Sequence, residues 1–229
     1  MTARGTLNRE LVISAAAAVA DRSGINAVSM RTVGAELGVK AMSIYHHVSD
    51  KEALLDALAE WVFAQIELPV VGDPWREAMS KRAASARAVL GQHPWGLGML
   101  ESRPVPGPAL MRHHDRVVGC LMSQGFSALL ATHAFSTLDA YIYGFVLTEV
   151  SLPFAAEGET EADFAARVAP SEAEYPHLAR ALEELFAQES YAFSDEFLDG
   201  LNLILDGLAQ RLAAAQGHER PTGADPRRA

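Results

Sequence analysis

The sequence predicts an all-α protein: a small N-terminal head of three helices carrying a helix-turn-helix, followed by a larger helical body. Three observations support this. Apolar residues recur at the three-to-four-residue spacing of helices, and no segment alternates as a strand would. Glycine and proline cluster in a few breaks instead of being spread along the chain. Finally, residues 29–51, SMRTVGAELGVKAMSIYHHVSDK, read as two short helices joined by a tight turn. The boundaries implied are a head at 1–52, a body at 53–216 and a disordered tail at 217–229.

In order, residues 1–7 read as a loose arm with Arg4 available to a phosphate. Asn8 caps a first helix with Glu10 in its first turn; Val12, Ala15, Ala16 and Val19 form its apolar stripe, and Gly24 ends it. Ser29 caps the second helix, along which Met30, Val33 and Leu37 recur. Gly38 supplies the turn, and a third helix runs from about Lys40 to Val48. Ser49 or Asp50 caps a long fourth helix through Leu54, Leu55, Leu58, Val62 and Ile66. Asp73-Pro74 is a start signal for a fifth helix, with Asp73 as its cap, ending near Gly91.

Residues 92–108 are rich in Gly and Pro and hold at most a short helix. Pro108 opens a helix ending at Gly125, and the most apolar helix follows from Ser127 to Leu152, stopped by Pro153. The acidic stretch 155–174 reads as a mobile loop. A helix from about Tyr175 to Gln188 precedes the last one, which Ser194 caps and which Phe197, Leu198, Leu201, Ile204, Leu205, Leu208 and Leu212 line.

On the third helix Ile44 and Val48 share one face. At about 100° per residue, Met42 and His46 point the other way, flanked by Ser43 and Tyr45. The outward surface is therefore Lys40, Ala41, Met42, Ser43, Tyr45 and His46, the shape of a helix that enters a DNA major groove.

These residues resemble the DNA-binding domain of the tetracycline-repressor (TetR) family of bacterial transcription regulators. The matching positions are Gly24, Ser29, Leu37, Gly38, Val39, Ile44, Tyr45, His47, Val48, Lys51 and Leu54-Leu55. A bare helix-turn-helix is a weak pattern; Tyr45-x-His47-Val48 followed by Asp50-Lys51 is a strong one. Body segments also resemble the tetracycline-repressor branch: Arg103-Pro104, Gln124-Gly125-Phe126-Ser127, Gly144-x-Val146-Leu147 and Phe197-Leu198-x-Gly200-Leu201.

The resemblance implies phosphate contacts from Tyr45 and Lys51, although Tyr45 packing on its own domain stays open. Lys51 also lies in a first helical turn, where backbone N–H groups add to phosphate attraction. Met42 and Ser43 are candidates for reading base edges; a thioether offers only apolar contact, for instance to a thymine methyl. Lys40 and Arg31 reach phosphate or base, Ser29 and Ala41 complete the surface, and His47 reads as a packing residue.

The chain has 229 residues, 49% of them hydrophobic, enough for a packed core. The single Cys120 excludes an intrachain disulfide and fits a reducing compartment; amid apolar neighbours it reads as buried, not as a redox sensor. Arg4, Arg9 and Glu10 break any signal peptide, and no stretch approaches the ~18 apolar residues a membrane span needs, so a cytoplasmic location is expected. Net charge is −10, which argues against nucleic acid until its distribution is considered. Residues 1–51 hold six Lys/Arg against four Asp/Glu, a net of +2; the remainder holds thirteen against twenty-five, a net of −12.

In the body, Asp139 shares a stripe with Thr132, Phe135 and Ser136 in the most apolar helix. Two readings stay open: a ligand cavity between helices, or an ion pair with an arginine such as Arg82 or Arg116. The expected effector site comprises Arg82, Met99, His113, Val117, Phe135 and Asp139, around a wide, partly apolar cavity.

The tetracycline repressor holds its drug-bound magnesium partly through a histidine; the matching position here is Met99, a poor ligand for a hard cation, and the supporting carboxylate matches Thr148, beside Glu149. The resemblance therefore carries the fold but not that ligand. His113-His114-Asp115 does not form a metal site, since adjacent helical residues point about 100° apart. Gly96-x-Gly98 lacks a nucleotide loop's context, and no nucleophile motif is present.

The expectation is a homodimeric transcription regulator, not an enzyme, with no cofactor or metal, released from a palindromic double-stranded operator by a small organic effector. Helices 127–152 and 195–216 of each chain would form the dimer as a four-helix bundle. The alternative is a helical small-molecule-binding protein or enzyme whose helix-turn-helix does not function.

Overall fold

The computed structural model describes residues 7–102, 107–152, 161–186 and 191–218. Arg4, the Arg103-Pro104 pair, Pro153, Gln188 and residues 219–229 of the expected tail lie outside these. Among the described residues there are eleven α-helices, three short 3-10 turns and no strand. They fall into two units, Met1–Tyr143 and Gly144–Ala229.

The first unit begins with α1 (Arg9–Ser23), whose N-cap Asn8 accepts from the Leu11 N–H at 2.8 Å. Gly24 closes the helix at φ 77°. Helix α2 (Met30–Glu36) opens on a capping box: Ser29 Oγ accepts from Thr32 N at 3.2 Å, and Thr32 Oγ1 accepts from Ser29 N at 2.9 Å. Helix α3 (Ala41–Ile44) is shorter than the expected 40–48; past Ile44 the chain tightens, with His47 N donating to Ile44 O at 2.9 Å. Helix α4 (Lys51–Phe63) is capped by Asp50, which accepts from Ala53 N at 2.8 Å. That bond stabilises the carboxylate and lowers the Asp50 pKa. Val12, Ala16, Val28, Val33, Ile44, Leu54 and Leu58 have no exposed surface and form the head core.

Two glycines set the turn between α2 and α3. Gly38 takes φ 67°, which a Cβ would disfavour. Gly34 is needed for space, because a Cβ there would lie 2.9 Å from Val39 O and 3.3 Å from Ala41 N.

Helix α5 (Trp75–Gln92) starts one residue later than expected. Pro74, not Asp73, occupies the cap, at φ −54° and ψ 114°, and no side chain caps this end. A turn at Pro94–Gly96 leads into α6 (Leu97–Ser102), and α7 (Pro108–Ser123) ends before Gly125. Helix α8 (Ala128–Val150) starts where Ser127 Oγ accepts from Leu130 N at 3.2 Å, and the boundary after Tyr143 falls within it.

In the second unit, α9 (Glu161–Arg167) lies within the stretch expected as a loop. Its acidic start and basic end suit the helix dipole, and Glu161 accepts from Phe193 N at 2.9 and 3.0 Å. Helix α10 (Pro176–Phe186) buries no residue completely. Helix α11 (Glu196–His218) begins after a 3-10 turn at Phe193–Asp195 and buries Phe197, Leu201, Leu205, Leu208 and Leu212. Phe145 stacks on Phe193 at 4.9 Å and meets Phe197 edge-on at 5.1 Å.

Gly34→Val should lower the urea midpoint, because the atoms the new side chain meets are backbone; overpacking of this kind costs about 1–3 kcal/mol. An unchanged midpoint would contradict the close approach as the reason for glycine.

Candidate functional site

The predicted DNA face is largely open. Met42 is 70% and Tyr45 47% exposed, and Arg31, Lys40, His46 and Lys51 are exposed as well. Ala41 and Ser43 are half-buried. Ser29 is also half-buried, with its hydroxyl engaged in the α2 cap. His47 is half-buried, as a packing residue should be. Lys51 is the first residue of α4, at the helix end that Asp50 caps.

Two polar contacts tie α1 and α4 to later helices of their unit, and sequence reasoning missed both. Asp21 Oδ1, near the end of α1, accepts from Trp95 Nε1 at 2.6 Å and contacts His93 Nδ1 at 2.8 Å. The Trp61 ring from α4 packs at 5.0 Å from the His93 ring. On the same helix, Glu60 accepts the Ala109 N–H at 2.8 and 3.0 Å, binding the opening turn of α7. Such contacts pair residues 49 to 74 positions apart, which no local pattern announces.

The predicted effector residues are closely packed. Arg82 is 1%, His113 2% and Asp139 8% exposed; Met99 and Val117 are buried and Phe135 half-buried. Arg82 from α5, His113 from α7 and Asp139 from α8 meet directly. Arg82 Nη2 forms an ion pair with Asp139 Oδ1, which settles the choice of arginine in favour of Arg82 over Arg116. Arg82 Nε donates to His113 Nε2 at 2.5 Å. Tyr143, which sequence reasoning missed, donates to Asp139 Oδ2 at 3.2 Å; it lies one turn along the Phe135–Asp139 stripe, so its spacing was a usable signal. The Phe135 ring centroid is 6.0 Å from the guanidinium carbon and 4.4 Å from the His114 ring.

These contacts fix protonation. Burial first, and then the Arg82 charge, push the His113 pKa down to about 3, so the ring is neutral. Burial also lowers the His114 pKa and raises those of the Tyr143 hydroxyl and the Cys120 thiol. His113, His114 and Asp115 do not converge: the first faces Arg82, the second Phe135, and the third is exposed. A separate apolar cavity of about 250 Å³ opens in the second unit, lined by Leu152, Phe164, Val168, Leu185, Phe186 and Tyr191 among others.

Because the folded-state pKa of His113 lies below its unfolded value, the unfolded chain binds the extra proton between about pH 6.5 and about 3. Stability should fall as pH drops through that window, and His113→Phe should flatten this part of the profile in urea titrations at stepped pH. An unchanged slope would show that the ring is not held neutral.

Residues 12–58 match the family described as "Bacterial regulatory proteins, tetR family", and residues 68–212 match "Tetracyclin repressor-like, C-terminal domain". The HTH-type transcriptional repressor DrrR1 of Streptomyces coeruleorubidus is 32% identical over 226 residues, covering 94% of this chain and 82% of that protein. The class A tetracycline repressor from transposon 1721 of Escherichia coli is 29% identical, covering 96% and 98%. The TetR family protein ActR of Streptomyces coelicolor, solved in complex with actinorhodin, shares the fold at a TM-score of 0.71 and 24% identity, covering 91% and 99%. With matches to both the helix-turn-helix and the body, the chain belongs to the TetR family of DNA-binding transcriptional regulators.

Proposed function

We propose that the protein is a repressor that holds a palindromic operator as a homodimer and leaves it when a small organic effector binds the body. The observation that carries this reading is the α3 surface: Met42 and Tyr45 stand exposed beside Lys40, His46 and Lys51, while Ile44 and Val48 hold the opposite face in the core. Met42 on α3 and Tyr45 at its C-cap leave much of their surface uncovered by the head; on a major groove they supply base and phosphate contacts. Residues 1–52 are the DNA-binding part in this reading, and 53–216 bind effector and partner. No catalytic role, cofactor or metal is assigned, and an operator-binding protein works in the cytoplasm.

The effector residues are Arg82, Met99, His113, Val117, Phe135 and Asp139. ActR was solved with an organic ligand, which supports an organic effector here, and Met99 argues against a magnesium-dependent one. A shift of α7 or of residues 93–95 would reach the head through Glu60 and Asp21, the two contacts that tie α4 and α1 down. Effector binding lowers operator affinity by its preference for the released conformer.

The dimer forms through α8 and α11 of each chain. Leu129 (68%), Leu147 (58%), Leu198 (57%) and Leu203 (75%) leave apolar surface on these two helices that a second copy would cover.

In gel shifts against the chain's own upstream region, binding should weaken steeply with salt. Lys51→Ala should weaken all duplexes alike, whereas Met42→Ala should change the ranking among sequences by about 1–3 kcal/mol. Absence of any shifted duplex at low salt would sink the reading.

Leu203→Glu places charge on exposed surface, unlike a change at the fully buried Leu205, so it should give folded monomers that no longer bind operator. A wild type that is monomeric by light scattering at micromolar concentration would refute the dimer.

A further inference from the structure

Helix α10 carries an apolar stripe, Leu178, Leu182, Leu185 and Phe186, yet buries none of it completely. The stripe instead walls two adjoining cavities of the second unit. The first, of about 250 Å³, lies between α9, α10 and the chain entering α11. The second, of about 270 Å³, lies between the end of α9 and α10 and shares Leu182 and Phe186 with the first. An apolar cavity of about 150 Å³ already holds a benzene ring. Neither cavity shares a residue with the effector cluster around Arg82.

Charge at this place has one sign. Among the described residues, Glu161 and Glu183 are the only charged groups on the two walls, and no Lys, Arg or His lines either. Residues 144–218 hold fourteen Asp/Glu against three Arg and no Lys. Burial first, and then the charges of Glu196 and Glu161, raise the Tyr191 pKa, so this ring feels the negative potential. Glu161 is fixed as the first residue of α9, where both its oxygens accept from the single Phe193 N–H at 2.9 and 3.0 Å. A carboxylate has about four lone-pair sites, so acceptor capacity remains on it.

Four rings line the same cavity, Phe164, Phe186, Tyr191 and Phe193. Aromatic faces attract cations. Arg167, exposed and outside both walls, already rests over the Phe164 ring at 5.0 Å. An anionic ligand would meet like charge, and an uncharged one would leave Glu161 unused. A primary ammonium brings three N–H donors that an aromatic wall cannot satisfy, whereas a quaternary ammonium brings none.

We propose that this cavity is a second ligand site, taking a quaternary ammonium whose head lies among the rings beside Glu161 and whose apolar group fills the remaining space. The site stands apart from the effector reading, because the two share no residue.

The test is equilibrium dialysis of the full-length protein against three probes: benzyltrimethylammonium, its uncharged carbon isostere neopentylbenzene, and phenylacetate. The cation should bind at least about tenfold tighter than its isostere, and phenylacetate more weakly than either. Glu161→Gln keeps an oxygen for the Phe193 N–H and removes the charge. It should shrink the gap between cation and isostere to within about threefold and leave the isostere's affinity unchanged. Leu185→Trp, at a half-buried wall position, fills the cavity and should weaken both probes at least about tenfold, with helix content unchanged by circular dichroism. Undetectable cation binding, the result expected if a second copy of the chain covers the α10 stripe, would overturn the proposal. An isostere or a phenylacetate that binds as tightly as the cation would also overturn it. Both of these outcomes are read on the wild type, so neither depends on a variant folding. A gap that survives Glu161→Gln, or binding that survives Leu185→Trp, would place the cation elsewhere on the protein and likewise overturn it.

Discussion

A guanidinium with almost no solvent contact is the constraint on which the larger helices of the first unit depend. Arg82 cannot shed its charge, so it must be neutralised where it lies. Asp139 neutralises it, Tyr143 fixes the second carboxylate oxygen, and His113 occupies Nε. The partners stand on α7 and α8 and the arginine on α5, so one buried charge fixes the mutual register of three helices. Their apolar contacts alone would tolerate sliding; a bidentate-capable donor facing a carboxylate and an imidazole would not. The arrangement also sets the chemistry of its surroundings, since it keeps His113 neutral and leaves donors, not charge, unsatisfied.

The head is constrained differently. It has few residues, and the starts of α1, α2 and α4 are each closed by a side chain, Asn8, Ser29 and Asp50 in turn, while the turn is closed by close backbone approach at Gly34. That leaves α3 presenting its outer face with nothing of its own to pack there. The basic excess of residues 1–51 lies in the same segment as that face, whereas the acidic excess lies in the remainder. Charge of the wrong sign overall is thus compatible with DNA binding, because screening confines each charge to its own neighbourhood at about 10 Å or less.

In the proposed reading, events at α7 must be felt at α4 and α1. The Glu60 and Asp21 contacts are suited to this because each anchors one end of a rigid element: Glu60 the start of α7, Asp21 the end of α1. Hydrogen bonds to fixed backbone or indole donors have narrow geometry, so a displaced partner either breaks the bond or moves its neighbour.

The sequence by itself determined most of the helices, the caps at Asn8 and Ser29, the turn at Gly38, the outward face of α3 and the family, and it narrowed the α4 cap to Ser49 or Asp50. The helices, caps and turn rest on periodicities or spacings within about a dozen residues, where local sterics and hydrogen bonding decide the outcome; the family rests on a series of such local motifs along the chain. It also collected Arg82, His113, Phe135 and Asp139 as one site, yet left open whether Asp139 faced a ligand or an arginine. Only tertiary structure could decide that, because the answer depends on two residues 57 positions apart. The same is true of the Asp21–Trp95 and Glu60–Ala109 contacts. Helix α9 escaped the sequence reading because its weak apolar content hid it; its start is held by the Glu161–Phe193 contact, 32 positions away. The cap at Asp73 was misplaced because Pro74 keeps an extended ψ and delays the helix by one residue. A pairing between distant residues leaves no period in the chain, and burial, which turns such a pair from optional to obligatory, exists only once the helices have packed.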